Sequence, residues 1–130
     1  MNKRQRDRIA AFLQLATEEL GVASKIVDEA PRQCAYLLQQ AAEKIARAIL
    51  TNADIPFGPG HNLGQMAEAL PKDHPWVEKI RSLNKHSPAV TRYRYPTPEG
   101  RLMAPPGAQR LANDVQELED LLHEARQFLG

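Results

Sequence analysis

Proline placement constrains this chain more than any other feature. Nine of its ten prolines lie between Pro56 and Pro106, and Pro31 stands alone upstream. Proline lacks a backbone donor and clashes with the preceding turn, so helix interiors exclude it. Long uninterrupted helices are therefore expected towards both ends, flanking an irregular middle.

Apolar spacing points the same way. From Asn2 to about Glu29, the residues Ile9, Phe12, Leu13, Ala16, Leu20, Ala23, Ile26 and Val27 recur by threes and fours, as one helical stripe requires. Gly21 sits inside that stripe at a cost of roughly 1 kcal/mol against alanine. Pro31 suits the first turn of a second helix, where its missing N–H loses nothing. That helix runs through Leu37, Leu38, Ala41, Ala42, Ile45, Ala48 and Ile49 to near Asn52, and its alanines allow a neighbour to approach closely, as in an antiparallel hairpin.

The stretch Ile55-Pro56-Phe57-Gly58-Pro59-Gly60 ends the pattern by turn chemistry. A short helix is expected from Asn62 to Ala69, with Leu63, Met66, Ala67 and Leu70 inward. A fourth, capped by Asp73 with Pro75 in its first turn, buries Trp76, Val77, Ile80 and Leu83 and ends near His86, before Pro88. From Ser87 to Pro105 there is no usable helical period, and a segment of that length in a small domain is more often functional than idle. Pro106 opens the last helix, whose stripe is Leu111, Val115, Leu118, Leu121, Leu122, Ala125, Phe128 and Leu129. No segment alternates apolar and polar residues over a strand's length, and no internal repeat is present. The expected fold class is all-α, an antiparallel helical bundle of about five helices.

The chain's 130 residues make one ordinary domain over 1–130. About 68% of the unfolded surface is buried at this length, enough for a core without metal or disulfides. A lone cysteine, Cys34, forms no internal disulfide and points to a reducing cytoplasm. Apolar stretches such as Ile45 to Leu50, interrupted by Arg47, fall far short of the ~20 residues that span a bilayer. The basic start Met1 to Arg8 leads into an amphipathic pattern and not an apolar signal, so no secretory signal is expected. With 17 basic and 16 acidic residues the formal charge is +1, which excludes a global attraction to nucleic acid or membrane.

Charge is instead local. Lys79, Arg81, Lys85, Arg92, Arg94 and Arg101 face one acid, Glu99, whereas in the last helix Asp114, Glu117, Glu119, Asp120 and Glu124 face only Arg126. The two stretches either neutralise one another or leave an anion site around the loop. Its densest point, Thr91-Arg92-Tyr93-Arg94-Tyr95-Pro96, interleaves two guanidinium groups suited to phosphate with two phenols suited to a base. In an extended segment the arginines and tyrosines would point opposite ways, so one ligand needs a turn to use all four. The alternative is that the tyrosines dock the loop and the arginines pair with the acidic last helix.

Three stretches together resemble the HEPN domain, the helical nucleotide-binding domain of higher eukaryotes and prokaryotes. They are Leu37-Leu38-Gln39-Gln40-Ala41-Ala42-Glu43-Lys44, His61-Asn62-Leu63, and Arg92-Tyr93-Arg94-Tyr95-Pro96, with a long amphipathic helix before and after. The resemblance implies an antiparallel bundle, frequently a homodimer, often encoded beside a minimal nucleotidyltransferase, with toxins and ribonucleases among its relatives. Ribonuclease members resemble one another in an arginine followed roughly four to six residues later by histidine at the start of the last long helix. Here that helix begins Ala108, Gln109, Arg110 without such a histidine, and the one pair of that form is Arg81 with His86, before the loop. With eleven arginines and four histidines in the chain, roughly one such pair arises by chance. On a continuous helix these two side chains also stand roughly 140° apart.

The leading expectation is a cytoplasmic homodimer that binds a nucleotide or RNA through Arg92, Tyr93, Arg94 and Tyr95 and works with a partner nucleotidyltransferase in a toxin–antitoxin type of system. The alternatives are a metal-independent ribonuclease with Arg81 and His86 in a two-subunit cleft, and a structural adaptor. His61 is read as a helix cap in preference to a ligand contact, and Glu43 and Lys44 as a solvated face in preference to a pair with their neighbours or a groove-facing pair. His74 and His123 have no metal-ligand spacing, and Gly58 and Gly60 make no phosphate loop, so neither metal nor cofactor is expected.

Overall fold

A computed structural model describes residues 1–59 and 62–130. Five α-helices follow one another in the described residues: α1 (Lys3–Lys25), α2 (Pro31–Asn52), α3 (Leu63–Ala69), α4 (Val77–Leu83) and α5 (Ala108–Leu129), with a 3₁₀ helix, Asn84–Val90, continuing α4. No strand occurs among them.

Local chemistry sets the ends. Asn2 caps α1, its side chain accepting from the Gln5 N–H while Gln5 reaches back to the Asn2 N–H. Asn62 and Gln65 repeat that capping box at α3. The expectation that His61 caps this helix lies outside the described residues. α1 stops at Lys25, earlier than the stripe suggested: Ile26 leaves helical geometry with φ −116°, and Ala30 ahead of Pro31 is non-helical too, with φ −144° and ψ 67°.

α2 is the axis of the bundle, with Leu38, Ala41, Ala42, Ile45, Ala46, Ala48, Ile49 and Leu50 fully buried. α1 lies antiparallel on it, as three cross-links show: Gln5 to Asp54, Lys44 to Glu19, and the Cys34 thiol to the Ala23 carbonyl. α5 covers the other side through Leu111, Leu118 and Ala125 and meets α1 where Arg126 donates to the Thr17 hydroxyl at 2.6 Å. Arg8 stacks over Phe12 and Phe57, each at 5.7 Å, and Arg47 over Phe57 at 4.7 Å, closing the end of the hairpin.

The middle differs from its expected outline in three ways. α4 begins at Val77 and not around Pro75, because the His74 ring takes the bond assigned to Asp73: its Nδ1 accepts from the Trp76 N–H at 3.0 Å. Pro88 does not end the helical path. The chain tightens to 3₁₀ geometry from Asn84, and the Pro88 carbonyl accepts from the N–H groups of Thr91 and Arg92. Turn bonds continue from Arg94 and Tyr95 to the Thr91 carbonyl, and Thr97 closes a second turn through Arg101 and Gly100, whose φ of +80° glycine adopts freely. The segment 87–105 is thus largely turns. α5 starts at Ala108 after an extended Gly107, two residues beyond Pro106.

Candidate functional site

The wound loop answers only part of the geometric difficulty of its sequence: Tyr93 and Arg94 line one cleft, Arg92 and Tyr93 another, and Tyr95 neither of the two. Because residues 91–95 turn, alternation no longer separates arginines from tyrosines. Arg94 lies over the Tyr36 ring at 4.1 Å and near the Tyr95 ring at 5.5 Å, and its guanidinium donates to the Val90 carbonyl. Tyr36 comes from the second turn of α2. One turn earlier, Arg32 donates to the Met103 carbonyl at 3.0 Å and ties down the returning limb of the loop. Arg32, Gln33, Tyr36, Tyr93 and Arg94 line an open cleft of about 280 Å³, close to the size of small-molecule sites.

A second, smaller cleft of about 30 Å³ opens beside the first, and Tyr93 lines both. Its walls include Lys85, His86, Arg92, Arg110 and Asp114. The Asp114 carboxylate is buried and lies 3.8 Å from both Lys85 Nζ and Arg110 Nε. His86 is 6% exposed, and its Nε2 has no hydrogen-bond partner. Burial lowers the imidazole's proton affinity below its ordinary value; Asp114 and Glu117 oppose that shift while Lys85 and Arg110 reinforce it. The same carboxylate acts on Cys34, whose thiol is pushed up to about 11, by burial first and by Asp114 second. Cys34 is a packed thiol and no nucleophile.

The loop's charge is not spent on the acidic helix. Two lysines do that: Lys79 meets Glu124 at 2.5 Å and Lys85 meets Glu117 at 2.7 Å. Among the described residues no ion pair involves Arg32, Arg92 or Arg94. The two oppositely charged stretches thus neutralise one another in part, through Lys79 and Lys85, whereas the alternative that the loop arginines pair with the acidic helix is not met. Two further residues of the cleft do not stand out in the sequence. They are Arg32 and Tyr36, which only the packing of the loop onto α2 brings to Arg94.

Arg81 and His86 do not meet in this cleft. Arg81 is half exposed and pairs with Glu78 one turn back on α4, whereas His86 faces inward. Glu43 and Lys44 are paired with neighbours and half buried, Glu43 with Arg47 and Lys44 with Glu19. His74 packs edge-on against Phe128, and His123 is exposed. Among the described residues, no three His, Cys, Asp or Glu side chains group as metal ligands, and no helix is long and apolar enough to cross a membrane.

The family model of the HEPN domain matches residues 10–130, nearly the whole chain. No curated protein and no solved structure matches it.

Proposed function

The chain belongs to the HEPN family, and from that premise we propose that it binds a nucleotide, or successive nucleotides of an RNA, on the surface built by Tyr36, Arg92, Tyr93, Arg94 and Tyr95. One observation carries the reading. Arg94 lies over the Tyr36 ring in a cleft that Arg32 also lines, Arg92 lines the adjoining one, and among the described residues none of these three arginines has a paired carboxylate, while neighbouring lysines are neutralised. Tyr95, 58% exposed, offers a ring face to a base. The guanidinium groups suit phosphate, whose planar, bidentate recognition favours arginine.

The domain acts as a homodimer with a partner minimal nucleotidyltransferase, in a toxin–antitoxin type of system. Support for a partner surface comes from the same loop, where Val90, Tyr95, Leu102 and Met103 are exposed apolar side chains. No chemistry of its own enters this reading, because Arg81 and His86 share no cleft.

The test is titration of the purified protein with the four ribonucleoside 5′-monophosphates and a short RNA. Saturable binding is expected, weakened by roughly 1–3 kcal/mol in Tyr95→Ala. Absence of binding by any of them overturns the proposal. Light scattering over a concentration series tests the dimer; a strict monomer removes that part.

A further inference from the structure

The small cleft at His86 is unexplained by base stacking. His86, one of the residues that line it, is more than nine-tenths buried, and its Nε2 is buried and has no hydrogen-bond partner. A buried imidazole nitrogen left unpaired loses its hydrogen bond with water and gains none in return, so such groups are few in native proteins. Packing alone gives no reason to put a histidine there.

What surrounds it indicates the missing partner. Three cations, Lys85, Arg92 and Arg110, line the cleft against one carboxylate, Asp114. Asp114 holds Lys85 and Arg110 only at 3.8 Å, beyond hydrogen-bond distance. Lys85 is committed to Glu117, but the Arg110 guanidinium makes no hydrogen bond among the described residues. Arg110 stands in the first turn of α5, whose N-cap, Gly107, supplies no side-chain acceptor and whose first turn holds no acid. A cation at the positive end of a 22-residue helix is placed against the helix dipole, an arrangement that an anion between them would relieve.

We propose that this cleft is a phosphoryl subsite, in which His86 Nε2–H and the Arg110 guanidinium donate to oxygens of one phosphate group. The inference rests on the nucleotide reading and deepens it: the base lies in the larger cleft, Tyr93 forms the shared wall, and the phosphate reaches the smaller one. A cleft of about 30 Å³ admits a water or one oxygen of a tetrahedral anion. The anion therefore seats a single oxygen at His86 and leaves the others at the mouth, where Arg92 and Arg110 lie. The histidine supplies a hydrogen bond there, and the arginines supply the charge.

The experiment follows the His86 imidazole itself by NMR in the full-length ¹⁵N-labelled protein, titrated with inorganic phosphate, the four ribonucleoside 5′-monophosphates and the four nucleosides. Phosphate and the monophosphates are expected to move the His86 Nε2 resonance saturably, and the nucleosides to leave it in place. Arg110→Gln should weaken phosphate binding about tenfold, the scale of one charge-assisted hydrogen bond, and Arg110→Lys should restore part of it. His86→Asn, checked for folding, should weaken the monophosphates and not the nucleosides. If the monophosphates bind and shift the loop tyrosines while His86 stays unmoved, the subsite is overturned and the nucleotide reading stands. If phosphate moves His86 but no nucleotide or RNA binds, the anion subsite stands and the nucleotide reading falls. If neither phosphate nor nucleotide moves His86 and none binds, both fall.

Discussion

Two regions of the molecule treat their cations in opposite ways. Along the α1–α2 seam, Lys44 and Arg47 are less than one-fifth exposed, and each meets a carboxylate, Glu19 at 2.8 Å and Glu43 at 2.7 Å. Around the loop, Arg94 lies over the Tyr36 ring and donates to the Val90 carbonyl, Arg32 donates to the Met103 carbonyl, and Arg92 lines the smaller cleft; among the described residues none of the three has a paired carboxylate. The first arrangement pairs its cations inside the fold and leaves neither of them for a ligand. The second leaves charge open to the outside, which folding alone does not call for. Pairing, more than the count of basic residues, separates a structural region from a candidate binding one.

The contrast breaks most sharply at Lys44. Changing it to methionine removes the ammonium beside Glu19, whose Oε1 is already buried without a partner. Urea unfolding should show a loss of about 2–3 kcal/mol, since a half-buried carboxylate is left unpaired. In the variant that remains folded, nucleotide affinity should stay within about twofold, the two regions being far enough apart to act independently. A collapse of binding with stability intact would place the α1–α2 seam in the site.

The loop should behave as the mirror image. Arg92→Ala combined with Arg94→Ala is expected to weaken nucleotide or RNA binding about tenfold or more, with a shallower salt dependence because fewer phosphates are neutralised. Unfolding free energy should change by only about 0.5 kcal/mol, as for other surface substitutions. A large fall in melting temperature with unchanged binding would make these arginines fasteners of the loop.

How far each region is legible in sequence follows from the range of its contacts. The helices α1, α2 and α5 are written in short-range spacing, and the bundle follows from them. The end of α4 is not: Pro88 reads as a stop, yet the chain passes through it by tightening from Asn84 onward and using the Pro88 carbonyl for the next turn. Arg92 to Tyr95 stand out as a pattern, but Tyr36 lies 58 positions before Arg94, and only the folded loop brings the Arg94 guanidinium over its ring. Arg110 is visible as the start of the last helix without its histidine. The fold places His86 beside it from a different element, which no local spacing rule detects.

A third test concerns protons. Burial keeps the folded-state proton affinity of His86 below that of the unfolded chain. Above pH ~6.5 both states are neutral at this residue and it contributes no pH dependence. As pH falls below that value the unfolded chain takes up a proton that the folded site resists, so stability declines until the folded pKa is reached. In phosphate-free buffer, the urea midpoint should therefore drop between pH 7.5 and 5.5, and His86→Gln should flatten that drop. An equally steep decline in the variant would assign it to other groups.

The smallest effect is expected at Arg81, and it sharpens the comparison from the side of chemistry. Arg81 is half exposed and its partner Glu78 is one turn away on the same helix; surface pairs of this spacing contribute about 0.2–0.5 kcal/mol. Passing from α-helical to 3₁₀ winding between Arg81 and His86 turns the two side chains roughly 160–180° apart, further than the 140° of a continuous α-helix. A general base and a charge stabiliser must converge on one scissile phosphate, and these two diverge. Arg81→Ala should thus leave stability within about 0.5 kcal/mol and nucleotide affinity unaltered. RNA incubated with nuclease-free wild type and with the variant should remain intact to the same extent. Robust cleavage by the wild type that Arg81→Ala abolishes would move the chemistry to the outer face of α4, and the unpaired arginines of the loop would then mark where RNA is held and not the whole of what the domain does.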